Sequence, residues 1–244
     1  MNGERKVLRV SGPDAEHFLQ GLVTNDVARL KDGLVYAALL TPQGKYRADF
    51  FLVPAGADIL IDVDADLAGD LLRALSMYKL RAKVEVAETG LAVTRGTGAP
   101  PEGAFVDPRD PRLGWRGYDG QPGEPADWDA LRVAACVPES GIELTPDTFI
   151  LEAGFERLNG VDFHKGCYVG QEVTARMKHK TELRKGLAIV AVSGSAPAGT
   201  EILAGEKPAG VLYTQSGGHG IAFLRFDRAV GDLRAGDAAL RYKP

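Results

Sequence analysis

The sequence has few cysteines and no long apolar segment. Its 244 residues include two cysteines, three methionines and two tryptophans, and the longest apolar runs, at 35–40 and 187–192, span six residues. Two cysteines allow at most one disulfide, which excludes a small disulfide-stabilised scaffold. A membrane helix needs about 20 consecutive apolar residues, so no membrane span is expected. The N-terminal sequence MNGERKVLRVSG has charges but no apolar stretch behind them, which is unlike a signal peptide.

An excess of charge of one sign is also missing. The chain has 29 basic and 33 acidic residues, a net charge of −4, which gives no reason to expect a nucleic-acid partner. A hydrophobic content of 45% and a charged content of 25% are typical of a folded soluble chain rather than a disordered one. These features predict a cytoplasmic protein with reduced thiols and no membrane partner. An organellar origin stays open if a transit peptide is missing from the sequence.

The first 95 residues mix the two kinds of periodicity. Helical spacing of apolar residues predicts helices over 13–22 and 65–79, the second capped by Asp64. The turn sequence TPQGK at 41–45 has the length and chemistry of an antiparallel hairpin. Because antiparallel hairpins argue against a pure parallel sheet, this region is predicted to be α+β. The predicted strands lie at 6–10, 34–40, 46–53, 58–63, 82–86 and 91–94.

The secondary structure predicted for residues 96–244 changes along the chain. Residues 96–125 are rich in Gly, Pro and Asp, which predicts loops. A helix is predicted over 128–137 and a helical or mixed segment over 146–158, whereas 160–171 shows no clear period. Short β-rich runs separated by Gly-containing turns predict a small barrel or sandwich at the C-terminal end. These runs lie at 187–193, 201–204, 208–213, 220–226 and 238–242.

The segment FHKGCYVGQE at 163–172 has the composition of a functional site. Cys167 lies between Gly166 and Gly170, which would let a ligand or another backbone approach closely. If the segment is extended, Lys165 and Cys167 point the same way, and the ammonium would favour the reactive thiolate. The alternative is that Cys167 is a small buried apolar residue and the glycines serve a tight turn. Residues 163–188 carry a local net charge of +4, which suits an anionic ligand.

The cysteines and histidines do not form a metal-ligand pattern. His164 and Cys167 are followed by no further C-x-x-C pair, and His179 lies far along the chain. A four-cysteine cluster site is impossible with two cysteines in one chain. No metal site built by this chain alone is therefore expected. Cys136 lies on an apolar helical face beside Val133, which predicts a core residue.

Two carboxylates have apolar neighbours. Asp49 lies in YRADFF and Glu152 in FILEAG. Each is either a solvated surface acid or a group directed into a cleft. In a cleft, the two oxygens of a carboxylate would accept a pair of N–H donors from an amino-substituted heterocycle.

The sequence KGCYVGQE at 165–172 resembles the K-G-C-Y-x-G-Q-E signature of the YgfZ-type folate-binding proteins. These are iron–sulfur cluster assembly or maintenance factors related to the T-protein (aminomethyltransferase) of the glycine cleavage system. FLQGLVTND at 18–26, TPQGK at 41–45 and LNGV at 158–161 are similar to the same family. The resemblance implies a T-protein-like α+β body around a central channel that receives folate, followed by a small C-terminal β-barrel. The implied domains are 1–95, 96–182, which carries the signature, and 183–244.

The resemblance also implies roles for individual residues. Cys167 would be the functional thiol and Lys165 its electrostatic partner. The contacts to tetrahydrofolate or a folate derivative would come from Asp49, Glu152, Tyr168 and Arg176, and the signature is completed by Gly166, Gly170, Gln171 and Glu172. The implied partners are folate and iron–sulfur enzymes or cluster assembly proteins. The basic segment would then be either a site for the glutamate tail of folate or a docking surface.

Two other functions stay open at this point. The first is an aminomethyltransferase-like, folate-dependent one-carbon transferase, and the second is a non-catalytic folate-binding scaffold with a structural Cys167. T-proteins are longer and have Asp where this chain has Cys167, which favours the YgfZ-type function over the first. Whether the protein is an enzyme is left open by the residues.

Overall fold

The computed structural model describes residues 4–180 and 183–243. The chain divides into two compact units: Met1–Ala126 with Glu156–Val173, and Asp127–Phe155 with Thr174–Pro244. Residues 181 and 182, where the predicted second domain ends, lie outside the described residues. The division into 1–95, 96–182 and 183–244 stays a prediction.

The first unit contains a five-stranded antiparallel sheet with the strand order β2-β3-β4-β1-β5. Side chains alternate between its two faces because the side-chain period of a strand is two. The neighbours Val35, Leu52, Ile61 and Leu8 cross four strands on the face that packs against the helices. The elements are β1 (Arg5–Ser11), α1 (Ala15–Gln20), a 3-10 helix (Val27–Asp32), β2 (Val35–Leu40), β3 (Tyr46–Ala55), β4 (Asp58–Asp64), α2 (Ala65–Tyr78) and β5 (Glu85–Glu88).

The opposite face of this sheet is also buried but carries polar groups. Tyr36, Phe51 and Asp62 are cross-strand neighbours there, and all three are almost fully buried. A second, three-stranded sheet in the same unit has the order β6-β8-β7. Its strands are β6 (Thr94–Gly96), β7 (Phe105–Val106) and β8 (Trp115–Gly117).

The second unit contains a closed six-stranded barrel with the order β10-β11-β12-β9-β14-β13. This confirms the small C-terminal barrel, with one strand more than the five β-rich runs. Its core is aliphatic, and Ile202, Leu212 and Leu224 are completely buried. The strands are β9 (Lys185–Ser193), β10 (Thr200–Ala204), β11 (Lys207–Ser216), β12 (His219–Arg225), β13 (Leu233–Ala235) and β14 (Ala238–Tyr242).

Helix α3 (Trp128–Ala135) belongs to the same unit as the barrel. Cys136 follows it in the left-handed conformation and is buried against Val133 and Ile221, which confirms it as a core residue. Asp127 caps the helix by accepting a hydrogen bond of 2.9 Å from the backbone N–H of Ala130.

The structure differs from the sequence-based prediction in several places, among them strands β7 and β8 within the predicted loops of 96–125. Residues 146–158 form turns rather than a helix, and the strand expected at 91–94 begins only at Thr94. Helix α4 (Gln171–Lys180) was not predicted. Its sequence QEVTARMKHK lacks the apolar stripe by which a surface helix is recognised.

Candidate functional site

The segment that carries Cys167 is a loop rather than a strand. Residues 161–168 have no regular secondary structure, and α4 begins at Gln171. The period-two argument that placed Lys165 and Cys167 on one side therefore does not apply. Lys165 is buried, whereas Cys167 is an exposed, free cysteine. A Cβ on Gly166 would have no neighbour within 4 Å, so the space beside Cys167 is open.

The ammonium of Lys165 is held by three backbone carbonyls. Its Nζ donates to the carbonyl oxygens of Gln20 at 2.8 Å, Val23 at 2.6 Å and Asn25 at 2.9 Å. It also lies 5.2 Å from the ring centroid of the buried Tyr168, within the range of a cation–π contact. Burial lowers the pKa of Lys165 from 10.5 to about 8. The three N–H donors of the ammonium are thus directed to residues 20–25.

Asp162 fixes the start of the same loop. Its Oδ1 accepts from the backbone N–H of His164 at 2.7 Å and of Lys165 at 3.2 Å, and its Oδ2 pairs with Arg29 at 2.9 Å. The backbone N–H of Asp162 donates to the carbonyl of Thr24. An Asp that accepts backbone N–H groups two residues ahead forms an Asx turn. Sequence reasoning did not identify Asp162 as a site residue. The only signal that the sequence gives is its position just before the signature at 165–172.

The motifs at 18–26 and 158–161 meet through buried hydrogen bonds. Thr24 donates through Oγ1 to the carbonyl of Gly160 at 2.7 Å. The side-chain amide of Asn25 donates to the carbonyls of Tyr36 and Asn159 at 2.8 and 2.7 Å. Both side chains are almost fully buried. Thr24 and Asn25 therefore fix residues 159 and 160, from which the chain enters the loop of Cys167.

The second half of the signature packs on the hairpin turn between β2 and β3. A Cβ on Gly170 would lie 2.6 Å from the carbonyl oxygen of Thr41, which leaves room for glycine only. Gln171 is the first residue of α4 and Glu172 is an exposed acid in its first turn, where the helix dipole favours a negative charge.

Asp49 lies on the polar face of the five-stranded sheet and is buried. Its Oδ1 accepts from the hydroxyl of Tyr46 at 2.7 Å, and its Oδ2 accepts from the hydroxyl of Tyr36 at 2.9 Å. Burial and the nearby carboxylate raise the pKa of Tyr36 well above 10, so this phenol stays a donor. Asp49 is thus a buried carboxylate and not a solvated surface acid.

A chain of buried ion pairs continues across the same face. Asp62 accepts from Arg5 at 2.6 Å, from Arg116 at 2.9 Å and from the hydroxyl of Tyr118 at 2.9 Å. Burial alone would raise the pKa of Asp62, but the two arginines outweigh it and lower the pKa. The carboxylate is therefore ionised inside the unit and is shared by two guanidinium groups, of which Arg116 also pairs with Asp107.

Arg116 extends this chain to a second aspartate. Its Nε donates to Asp107 at 3.1 Å, and Arg109 binds the same carboxylate through two bonds of 3.0 and 2.8 Å. Burial would raise the pKa of Asp107, but the arginines lower it to about 2. The Arg109 guanidinium lies 5.3 Å from the ring centroid of Tyr36 and 4.7 Å from that of Phe51. Through Tyr36, the ion-pair chain reaches Asp49.

Glu152 and Arg176 belong to the second unit. Glu152 is 8% exposed, and its carboxylate lies 3.4 Å from the ammonium of Lys185. Its backbone carbonyl accepts from the N–H of Leu187 at 2.8 Å, which ties it to strand β9. Arg176 is exposed on α4. Asp49 belongs to the first unit and Glu152 to the second.

No three His, Cys, Asp or Glu side chains in residues 4–180 and 183–243 are grouped so that they could hold a metal ion. None of the helices in these two ranges combines the length and the apolar character that crossing a membrane requires.

Comparison with known proteins gives matches over nearly the whole chain. A family profile described as the CAF17 C-terminal beta-barrel domain matches residues 184–244. The mitochondrial iron–sulfur cluster assembly factor IBA57 of Mus musculus is 32% identical over 94% of this chain and 78% of its own length. The Homo sapiens protein of the same name is 31% identical over 96% of this chain and 80% of its own. The Mycosarcoma maydis homolog is 33% identical over 74% of this chain and 54% of its own.

A solved structure matches the fold as a whole. The glycine cleavage system aminomethyltransferase T from Bartonella henselae superposes with a TM-score of 0.75, covering 97% of this chain and 81% of its own. The sequence identity is 16%, so this match concerns the fold alone. It confirms the T-protein-like α+β fold, and the profile match confirms the C-terminal barrel.

The expected cytoplasmic location is wrong. The mouse, human and fungal relatives are named as mitochondrial proteins. The expectation rested on a missing signal peptide and on few cysteines. Neither feature distinguishes the cytoplasm from the interior of an organelle.

Proposed function

The chain belongs to the family of the IBA57 iron–sulfur cluster assembly factors, and we propose that it supports the assembly or repair of iron–sulfur clusters in client enzymes. The observation that carries the proposal is the exposed thiol of Cys167 on a loop whose preceding residues are fixed by buried hydrogen bonds. The YgfZ-type resemblance of residues 165–172 supports the same function.

Cys167 is the proposed ligand for iron or for a cluster in transit. A thiolate is the soft donor that iron–sulfur clusters take in proteins. Because the only other cysteine, Cys136, is buried in the core, this chain offers one thiol to the cargo. The remaining ligands would come from the donor or acceptor protein. The open space at Gly166 suits the approach of such a protein.

A reduced folate is the proposed ligand of Asp49 and Glu152. The buried Asp49 carboxylate accepts the hydroxyls of Tyr36 and Tyr46, and the two oxygens of a carboxylate have about four acceptor positions. A carboxylate accepts a pair of N–H donors, which is the pattern that an amino-substituted heterocycle such as a pterin presents. When bound, a reduced folate carries one-carbon units at its ring nitrogens. The part of this chain is to bind and orient the ring.

The other folate contacts are proposed from position and charge. Arg176 is an exposed cation in the segment of net charge +4, which suits the glutamate tail of a folate. Tyr168 is buried beside the Lys165 ammonium, so it would meet a ligand as a fixed ring.

The folate proposal is tested by calorimetric titration with tetrahydrofolate. We expect binding to the wild type and a large loss of affinity in Asp49→Asn and Glu152→Gln. The control is Asp70→Asn, an exposed acid that pairs with Arg73 three residues on. Absence of binding to the wild type would overturn the folate assignment and leave the thiol proposal intact.

The thiol proposal is tested in cells that lack this protein. We expect Cys167→Ser to fail to restore the activity of an iron–sulfur enzyme, whereas Cys136→Ala restores it. Full rescue by Cys167→Ser would make the thiol dispensable. The scaffold function would then be favoured.

An aminomethyltransferase-like activity is the second candidate, favoured by the fold match. A shared fold does not establish a shared reaction. Product analysis of a reduced folate incubated with the purified chain and an aminomethyl donor tests it. Transfer of a one-carbon unit at enzymatic rates would replace the assembly proposal with this one.

A further inference from the structure

We propose that Lys165 is a positioning residue for Cys167: its buried ammonium clasps the backbone of residues 20–25 and so fixes the loop from which the thiol projects. The inference rests on the proposed function of Cys167 for its biological meaning. Its structural content is independent of that function and is tested separately.

The clasp consists of the three hydrogen bonds from Lys165 Nζ to backbone carbonyls of residues 20–25, and it uses every N–H donor of the ammonium. An ammonium has three N–H donors, and the three carbonyls of Gln20, Val23 and Asn25 accept at 2.6–2.9 Å. Hydrogen bonds from a charged donor contribute more to stability than those from a neutral donor. All three acceptors lie in one short stretch of chain, so the lysine holds that stretch as a single unit.

The clasp also satisfies groups that a helix leaves open. Gln20 is the last residue of α1, and the final carbonyls of a helix have no partner within it. The negative end of the helix dipole favours a cation at this point. The site on residues 20–25 is therefore built for a cation with several N–H donors, and Lys165 provides it.

The lysine is fixed at both ends. Its backbone N–H donates to Asp162 at 3.2 Å, while its Nζ is held by the carbonyls. Cys167 follows two residues later and is exposed. Two residues of extended chain span at most about 7 Å, so the thiol stays close to this fixed point. Through this fixed point, Lys165 limits how far Cys167 can move when it meets an incoming cluster.

The charges around the ammonium are few. Asp26, the cap of the 3-10 helix, and Asp162 are the acids that act on it, and the Tyr168 ring lies beside it. The ammonium is therefore held mainly by its three carbonyl acceptors.

The test attaches a nitroxide spin label to Cys167 in a Cys136→Ala background, which leaves one thiol. In the chain with Lys165 we expect a slow spectral component from a label on a fixed loop. Lys165→Met, which keeps the apolar stem, should lose that component. The control is Lys31→Met, an exposed lysine of the same unit.

Amide exchange gives a second readout that needs no label. In Lys165→Ala, protection of the amides of residues 22–24 should fall by about tenfold or more, the equivalent of one charge-assisted hydrogen bond. Added butylammonium, which has three N–H donors, should restore part of it, whereas tetramethylammonium should not.

Unchanged label mobility and unchanged amide protection in the lysine variants would overturn the proposal. So would a raised thiol pKa in Lys165→Met with no change in mobility, because that result would make Lys165 an electrostatic partner. Rescue of cells by Cys167→Ser would overturn the proposed function and leave the clasp standing.

Discussion

Gly44 and Gly170 lie against each other where the hairpin turn between β2 and β3 meets the loop before α4. A Cβ added to Gly170 would come within 3.1 Å of the Cα of Gly44 and 2.6 Å of the carbonyl oxygen of Thr41. Both glycines have a positive φ, +75° and +83°. The TPQGK turn at 41–45 and Gly170 of the signature therefore pack directly against each other.

Gly170→Ala should destabilise the protein by about 1–3 kcal/mol, because it overpacks this contact and strains a left-handed backbone. Gly166→Ala is the matched control, since its Cβ would have no neighbour within 4 Å, and it should change the free energy of unfolding by less than about 0.5 kcal/mol. Urea unfolding of both variants measures the difference. Equal losses would contradict the packing described.

Asp62→Ala should lower the free energy of unfolding by about 3–5 kcal/mol, because it takes the shared carboxylate away from the buried Arg116 and the partly buried Arg5. Arg116 is 3% exposed, so water cannot replace the lost partner. Asp70→Ala is the control, because its pair with Arg73 is exposed on both sides and should contribute about 0–1 kcal/mol. Similar losses in the two variants would show that the buried ion pairs of Asp62 contribute no more to stability than an exposed pair.

The decrease in the free energy of unfolding at low pH should depend on Asp107. Its pKa is lowered from 3.8 to about 2, so its contribution is complete above pH 3.8 and is lost as the pH falls from 3.8 towards 2. Asp107→Asn should be less stable at pH 7 and should show a flatter loss of stability between pH 4 and 2. Denaturant unfolding at a series of pH values measures the slope. An unchanged slope would assign the acid sensitivity to other carboxylates.

The barrel and the core were predictable from the sequence because their signals are local. Alternation of apolar residues marks the strands of the barrel, and the apolar neighbours of Cys136 mark it as core. The clasp of Lys165 was not predictable, because its acceptors are backbone carbonyls far away in the chain. Every residue has a backbone carbonyl, so the residue type does not show which carbonyl accepts a hydrogen bond.

The polar face of the sheet shows the same limit. Asp49 was recognised as an acid among apolar residues, and Asp62 interrupts the apolar run of β4 in the same way. Its arginine partners come from β1 and β8, and no spacing in the sequence links them. Pairing across elements decides whether such an acid is a surface group or a buried ion.

The two tyrosines that bind Asp49 supply the last prediction. Tyr46→Phe removes a 2.7 Å bond to a buried carboxylate and should cost about 1.5–3 kcal/mol of stability, the range for a hydrogen bond to a charged group. Tyr242→Phe is the control, since this ring stacks on Phe226 in the barrel and is partly exposed. If Asp49 also binds the pterin ring, Tyr46→Phe should lower the affinity for tetrahydrofolate, because the carboxylate loses one of the two hydroxyls that orient it. A loss of stability with unchanged affinity would place Asp49 in the fold and outside the ligand site.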